Sequence, residues 1–251
     1  MLLLITGCVN VADTTPFVAV REKNERLNQY LETLKWAISS SPFDIILFCE
    51  NSGCDFDFYK YVETLKSSRI KRFEYLSFRG NRDECDKKGK GYGEGEIIAY
   101  AMEHSQYLRQ EKYFYKITGK LKVANIDELI TDDNHSYFMR YCDRVGKVDT
   151  KFYKLLLSDY NRGLGSVYVN VDDQNGEFLE KVYYEAMKRN AIKYKSFKRI
   201  PIIEGVSGTT GRTYQRMSMR KSKLYNSITA RGLYNYKWMA YLDYFLNKIH
   251  F

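Results

Sequence analysis

The sequence predicts an α/β fold, in which a mixed sheet is flanked by helices and a basic helical tail follows. Two observations lead to this prediction. Short apolar runs alternate with helical stripes up to residue 118, the order of a parallel sheet with crossover helices. Beyond residue 135 the strand and helix patterns become mixed. Because a chain of 251 residues can bury one sizeable core, we expect one domain over 1–211 and the tail over 212–251.

The first half of the chain is predicted to contain four strands. The run LLLIT at residues 2–6 ends at Gly7, as a buried strand followed by a turn does. Apolar residues from Leu27 to Ile38 recur at three- and four-residue spacing, which predicts a helix over 21–39. The other predicted elements are strands at 44–49, 72–78 and 113–118, a helix near 55–66, and a charged, glycine-rich loop from residue 80 that enters a helix near Glu94 or Gly95.

The second half of the chain is less regular. Its predicted elements are strands at 137–142, 166–171 and 200–203, and helices near 149–160 and over 177–189. The glycine-rich segment EGVSGTTGRTY follows the last strand. Beyond Gly211 the chain is predicted to be helical, with a break near Gly232.

The positive charge is concentrated near the C-terminus. The formal net charge is +9, and residues 205–251 hold eight basic residues against the single acid Asp243, which leaves +2 for residues 1–204. Aromatic residues such as Trp238 are interleaved with these bases, a pattern suited to an anionic membrane surface or to nucleic acid. The alternative is a solvated helix that packs on the domain through its aromatic face.

The cysteines and apolar segments predict where the protein resides. Five cysteines, an odd number without paired C-x-x-C spacing, fit a reducing cytoplasm. The start MLLLITGCVNV lacks a basic region and is too short for a signal peptide, and no stretch approaches the ~20 apolar residues of a transmembrane helix. We therefore expect a cytoplasmic protein whose membrane contact is peripheral.

The segment KGKGYGEGE at 88–96 is a candidate anion site. Glycines allow the backbone to approach a ligand closely, and a loop that opens into a helix directs free N–H groups at an anion such as a diphosphate. The segment matches neither GxxxxGK[ST] nor a GxGxxG directly after a first strand, which argues against a P-loop ATPase and a Rossmann dehydrogenase. A flexible surface loop is the alternative.

The segment KITGKLKVAN at 116–125 supplies basic side chains at the end of the fourth predicted strand. A diphosphate leaving group can be neutralised by a divalent cation or by fixed cations. Three lysines of this segment, Lys116, Lys120 and Lys122, can be such fixed cations. The alternative is an amphipathic strand on which alternation places these lysines and Thr118 on one outward face.

The segment VNVDDQNGEFLEKVYYE at 169–185 is the densest acidic cluster. A carboxylate held near a reacting hydroxyl can take its proton. The candidates are Asp172, Asp173, Glu177 and Glu180, and the last two are expected one turn apart on the same side of a helix. The alternatives are acids favoured by the helix dipole, or a metal site at the two aspartates.

The segment GVSGTTGRTYQR at 205–216 joins glycines and hydroxyls to the basic Arg212. Such a loop can close over phosphates, or it can be a hinge into the tail. The three histidines are scattered along the chain, so neither a zinc site nor a Ser/His/Asp triad is supported.

Between residues 1 and 215 the chain resembles bacterial GT-A-type glycosyltransferases of lipopolysaccharide O-antigen or capsule biosynthesis. The resemblance lies in the segments LLLITGC, DIILFCENSG, GKGYGEGE, YFYKITGKLKVANI, VDDQNGEFLEKVYYEAM and GVSGTTG, in that order. It implies a GT-A-like, Rossmann-type fold, with a nucleotide-sugar-binding half over 1–125 and an acceptor half over 126–211.

The resemblance also implies which residues bind the donor. Residues after the first two strands would face the nucleotide base, namely Thr6, Gly7, Val9, Glu50 and Asn51. The ribose and diphosphate would lie by Lys90, Gly91, Tyr92, Gly93 and Glu94. The expected donor-binding set is completed by Lys116, Thr118, Gly119, Lys120 and Arg212.

The expected metal dependence follows from a departure from the family pattern. Typical GT-A enzymes carry Asp-x-Asp after the fourth strand, where this chain reads Thr118, Gly119 and Lys120. It is similar there to metal-independent members, in which basic side chains balance the diphosphate. We therefore expect no metal cofactor, although Asp172 and Asp173 leave a divalent cation such as Mn or Mg open.

The reaction implied by the resemblance is transfer of a hexose, such as galactose from a UDP donor, to a lipid-linked glycan at the inner face of the cell membrane. Glu180 is the first candidate for the acceptor base and Asp173 the second, if the reaction inverts configuration. The alternatives are a nucleic-acid-binding protein that uses the tail, and an inactive sugar-nucleotide-binding scaffold. The nearly balanced charge of residues 1–204 argues against nucleic acid.

Overall fold

The computed structural model describes residues 1–67, 71–139, 146–214, 223–224, 226–228 and 231. Their largest element is a seven-stranded sheet of order β3-β2-β1-β4-β7-β6-β8, and β5 pairs with β9 beside it. The strands are β1 (Leu2–Gly7), β2 (Ile45–Glu50), β3 (Arg72–Ser77), β4 (Tyr113–Thr118), β5 (Leu121–Val123), β6 (Ser136–Tyr137), β7 (Phe152–Leu156), β8 (Tyr194–Lys195) and β9 (Ile203–Gly205). The helices are α1 (Lys23–Ser39), α2 (Phe58–Glu63), α3 (Arg82–Lys88), α4 (Lys90–His104), α5 (Leu157–Gly163) and α6 (Leu179–Arg189).

The centre of the sheet is parallel and its other end is antiparallel. β1 lies between β2 and β4 and is parallel to both, and β2 is parallel to β3. β7 runs antiparallel to β4. The carboxyl ends of β1, β2 and β4 therefore meet at one edge, where open α/β sheets usually bind ligands. The predicted α/β class, with a mixed sheet flanked by helices, is confirmed.

The sheet is covered by apolar side chains on both faces. Leu3 and Ile5 pack on the side of α1 and α2, whereas Leu2 and Leu4 pack on the side of α4 and α6. All six residues of β1 are buried, which explains why its sequence is a continuous apolar run rather than an alternating one. Each fully buried aliphatic side chain stabilises the fold by about 1.5–3 kcal/mol.

Four predicted elements are wrong or shifted. The predicted loop before Glu94 is helical, because α3 and α4 together cover most of 82–104. The segment 149–160 contains β7 followed by the start of α5, and a 3-10 turn occupies Val167–Asn170 where a strand was expected. The last strand begins at Ile203 rather than at residue 200.

Some predictions fall outside the described residues. These are the end of the predicted strand over 137–142 and nearly all of the basic helical tail over 212–251. No helix in the described ranges has the length and apolar character needed to cross a bilayer.

Candidate functional site

A cleft of about 240 Å³ lies at the carboxyl edge of the central strands. Its walls come from the ends of β1 and β4, from α1, from the first turns of α4, and from the segment 206–209. That segment belongs to a short hairpin, in which Val206 bridges to Thr213 and Ser207 N donates to Arg212 O at 2.9 Å. The hairpin is fastened to the domain by Ala19 N, which donates to Gly208 O at 3.1 Å.

The turn after β4 directs Lys120 into this cleft. Gly119 N donates to Thr6 O at 2.9 Å, which brings the turn against the end of β1. A Cβ at position 119 would collide with that carbonyl oxygen, so the close approach requires glycine. β4 therefore ends at Thr118, and the alternative of one strand on which Lys116, Lys120 and Lys122 alternate does not apply.

Lys120 is a buried cation without a partner. Its side chain is 6% exposed and lines the cleft, and its Nζ makes no hydrogen bond within the part of the chain that the structure describes. Burial, together with the nearby charges of Arg26 and Lys90, lowers the pKa of Lys120 to about 8. A buried ammonium of this kind is stabilised only when an anion enters the cleft.

Arg26 and Lys90 accompany Lys120, and the cations Arg82 and Lys151 also line the cleft. Arg26 is 5% exposed and is held by Cys8 O, which accepts from its Nε at 2.9 Å, and by Val20 O, which accepts from Nη1 at 2.9 Å. The Nζ of Lys90 contacts Thr209 Oγ1 of the hairpin. Burial lowers the pKa of Lys90, while Glu94 and Asp173 act against that shift. Positive charge is thus concentrated in one half-buried cleft.

Lys116 lies beneath the cleft rather than in its lining. Its side chain is fully buried, and its Nζ forms an ion pair with Glu94 and donates to Thr118 Oγ1 at 2.9 Å and to Thr150 O at 2.7 Å. Thr118 Oγ1 donates in turn to Glu94 Oε1 at 3.0 Å. The alternative of outward-facing lysines therefore does not apply to Lys116, whose Nζ pairs with Glu94.

Glu180 lies where two clefts meet. A second cleft of about 460 Å³ adjoins the first, and both are lined by Glu180, Lys90, Glu94 and Thr209. Thr150 Oγ1 donates to Glu180 Oε1 at 3.2 Å. Burial raises the pKa of Glu180, and the charge of Glu94 raises it further. Such a carboxylate is suited to accept a proton.

The two neighbouring aspartates point to different partners. Asp172 accepts from Asn175 Nδ2 at 2.7 Å, and this contact lowers its pKa. Asp173 accepts from Gly91 N at 3.0 Å at the start of α4, and burial raises its pKa. Within the described residues no three His, Cys, Asp or Glu side chains are grouped as metal ligands.

The structure brings most of the predicted site residues together. The first cleft is lined by Thr6, Gly7, Asn51, Lys90, Gly93, Glu94, Thr118, Lys120 and Glu180, and the second adds Gly91 and Asp173. The other predicted residues lie outside both linings. Val9 and Tyr92 are in the core, and Glu50 accepts from Ser52 and from Cys54 N. Lys116 and Gly119 lie beneath the cleft, and Arg212 is exposed on the hairpin. Glu177 precedes α6 and pairs with Lys181, so it does not share a helical face with Glu180.

Sequence reasoning missed several residues that also line the first cleft, among them Asn10, Arg26, Arg82, Thr150 and Lys151. Arg26 lies beside the apolar stripe of α1, and the buried face of the helix includes it together with Tyr30 and Leu34. A basic residue on that face is the signal that could have identified it, since an arginine is rarely buried without a partner.

Comparison with solved structures finds similar proteins at low identity. The chain is similar to a protein assigned as a nucleotide-diphospho-sugar transferase from Desulfovibrio desulfuricans G20, at 10% identity over 78% of each chain with a TM-score of 0.47. It is also similar to core-mannan synthase A from Aspergillus fumigatus in its Mn/GDP form, at 14% identity over 92% of this chain and 85% of that one, with a TM-score of 0.44. A third similar structure is mouse xyloside xylosyltransferase 1, at 9% identity over 76% of this chain and 83% of that one, with a TM-score of 0.38.

No protein-family model matches the chain, and no curated protein matches it. The identities and TM-scores of the similar structures assign neither a family nor an activity to this chain.

Proposed function

We propose that the protein is a glycosyltransferase that moves a hexose from a UDP-linked donor to a lipid-linked cell-surface glycan, without a metal ion. The observation that carries this proposal is the buried, unpartnered Nζ of Lys120 in a cleft that also holds Arg26 and Lys90. The cleft lies at the ligand-binding edge of an α/β sheet, as expected for a GT-A-type enzyme.

The cations Arg26, Lys90 and Lys120 suit a diphosphate leaving group. Breaking the bond between a sugar and a nucleoside diphosphate places an additional negative charge on the β-phosphate. Cations that are fixed before the reaction stabilise that charge without reorganising in the transition state. Arg26 is held rigidly by backbone carbonyls, and Lys120 has no competing partner in the described chain. These features support direct neutralisation of the diphosphate by side chains.

The position of Glu180 supports its role as the acceptor base. It lines both clefts, so a sugar donor in the first and a hydroxyl in the second would meet beside its carboxylate. In an inverting reaction the carboxylate takes the hydroxyl proton as the new C–O bond forms and the bond to the diphosphate breaks. The lipid-linked acceptor and the peripheral membrane contact are proposed from the basic aromatic tail and the sequence resemblance.

The experiment measures UDP affinity and UDP-galactose hydrolysis in wild type, Lys120→Met and Lys122→Met, with and without EDTA. Lys122 is the matched control, because it lies two residues away and pairs with Glu32 at 3.1 Å at the surface. We expect Lys120→Met to weaken UDP binding by about tenfold to a hundredfold, the range for a lost contact with a charged group. Lys122→Met should match wild type, and EDTA should leave hydrolysis unchanged.

Four results would contradict the proposal. UDP, GDP and CMP all failing to raise the unfolding temperature would remove the sugar-nucleotide site. Equal losses in the two lysine variants would remove the specific role of Lys120. Activity that disappears in EDTA and returns with manganese would remove metal independence. UDP binding without hydrolysis of any UDP-hexose would instead identify an inactive scaffold.

A further inference from the structure

We propose that the second cleft binds a pyranose ring of the acceptor, with Phe17 as the aromatic surface on which the ring stacks. Only the assignment of this sugar as the acceptor rests on the proposed function, since binding of a sugar ring in the cleft can be measured by itself. The cleft of about 460 Å³ is large enough for a single sugar residue.

Phe17 is an exposed large hydrophobic residue. Its side chain is 46% exposed and lines the second cleft. Its backbone φ is +59°, in the left-handed region that a bulky residue rarely adopts. A strained residue that presents an apolar ring to solvent is a feature typical of ligand sites.

The loop around Phe17 is fixed to the domain. Thr14 Oγ1 and Thr15 Oγ1 donate to the two carboxylate oxygens of Asp86, at 2.6 and 3.0 Å. Arg21 Nη2 donates to Thr15 O at 2.8 Å. The ring is therefore presented from an anchored loop, which lowers the entropy lost when a ligand stacks on it.

The rest of the lining favours a sugar over a lipid chain. Six of its ten residues carry polar side chains, namely Lys90, Glu94, Lys147, Asp173, Glu180 and Thr209. Carboxylates accept from hydroxyl groups and ammonium groups donate to them, so this mixture matches a polyhydroxyl compound. A sugar ring also has an apolar C–H face that can lie on an aromatic ring. An acyl chain would cover these charged groups and offer them no hydrogen bonds.

The test is saturation-transfer NMR with three probes, the methyl pyranosides of galactose, glucose and mannose, each recorded with and without UDP. Decanoate is the lipid-like probe. The variants are Phe17→Ala, Phe17→Trp and the control Val169→Ala, whose side chain is also 46% exposed. We expect transfer to the ring protons of at least one pyranoside, a loss of about fivefold in Phe17→Ala, and recovery in Phe17→Trp. Thermal unfolding of each variant checks that the fold is retained.

The outcomes separate this inference from the proposed function. If the wild-type protein does not bind UDP, the proposed function is contradicted. A pyranoside signal that depends on Phe17 would still establish the sugar site. UDP binding without transfer to any pyranoside would overturn the inference and leave the donor site intact. An equal pyranoside signal in wild type and Phe17→Ala, or binding of decanoate alone, would also overturn it.

Discussion

Lys116 and Glu94 form an ion pair that joins β4 to α4 beneath the cleft. The lysine side chain is fully buried, whereas the glutamate side chain is 23% exposed. Two further oxygen atoms, from Thr118 and Thr150, accept from Lys116 Nζ. The pair fixes the direction of Glu94 at the boundary of the two clefts, so its loss should affect both stability and the site.

We predict that Lys116→Met lowers the free energy of unfolding by about 2–4 kcal/mol, because it removes charge-assisted hydrogen bonds and leaves Glu94 unpaired. The double variant Lys116→Met/Glu94→Gln should recover part of this loss, since no unpaired carboxylate then remains. Urea unfolding of the wild type, of both single variants and of the double variant measures the coupling between the two side chains. Additive losses would show that the ion pair contributes nothing specific.

The sequence predicts the first half of the sheet well for a physical reason. β1 and β2 are buried on both faces, so their side chains are apolar or small except for Glu50 at the end of β2, and the continuous runs can be recognised without knowledge of their neighbours. The stripe from Leu27 to Ile38 identifies α1, although the most buried face is rotated towards Arg26.

The helical turns of 82–93, before the predicted helix start near Glu94, could not be predicted from local propensity. Glycine disfavours a helix interior, yet α4 contains Gly91, Gly93 and Gly95. Each occupies a crowded position, and a Cβ on Gly91 would lie 2.8 Å from Asp173 Oδ1, a residue 82 positions away in sequence. The same holds for Gly95, where a Cβ would collide with Tyr168. Tertiary packing therefore explains why these helical positions are glycine.

The sequence predicts which segments form the site, but not where their side chains lie in it. The sequence identifies the segment after β4 from its lysines, but it leaves open whether Lys116 and Lys120 are fixed cations of a site or lie on one outward strand face. The strand ends at Thr118 and the turn reverses the chain, so one lysine enters the core and the other the cleft. That end depends on the contact of Gly119 with Thr6 O, which joins distant parts of the sequence.

We predict that Lys120→Met stabilises the protein while weakening UDP binding. The buried ammonium has a folded-state pKa of about 8 against a usual value of 10.5, so the unfolded chain holds the proton more tightly. Below pH 8 both states are protonated and the full destabilisation is present, about 1–3 kcal/mol. This destabilisation declines between pH 8 and pH 10.5 and vanishes at higher pH. Urea unfolding at pH 7 and pH 10.5 measures this difference.

The control for this prediction is Lys122→Met, whose lysine is partly exposed and paired with Glu32. Its stability should stay within about 0.5 kcal/mol of wild type at both pH values. A Lys120→Met variant that is less stable than wild type at pH 7 would mean that the ammonium has a partner in the folded chain.

We predict a bell-shaped pH dependence of kcat/KM for sugar transfer. The carboxylate of Glu180 must be deprotonated to act as a base, and its pKa is raised by burial, so activity should rise with pH above the usual glutamate range. Lys120 must be protonated to hold the diphosphate, so activity should fall above about pH 8. Because kcat/KM reports the free enzyme, these are the pKa values that apply.

The two limbs can be assigned by substitution. Lys120→Arg should move the basic limb to higher pH, because a guanidinium keeps its charge there. The pH profile of the residual activity of Glu180→Gln should lack the acidic limb. An unchanged basic limb in Lys120→Arg would assign that limb to another group.

The last prediction separates the two candidate bases. Glu180→Gln should lower turnover by about a hundredfold or more, because an amide cannot take the hydroxyl proton, while Thr150 Oγ1 can still donate to the amide oxygen. Asp173→Asn should lower turnover by less than about tenfold, since the amide oxygen can still accept from Gly91 N and hold the start of α4. Single-turnover transfer, measured at saturating donor, compares the two isosteric variants directly. Turnover of Glu180→Gln near the wild-type value would exclude Glu180 as the base, whereas a hundredfold loss in Asp173→Asn alone would transfer that role to Asp173.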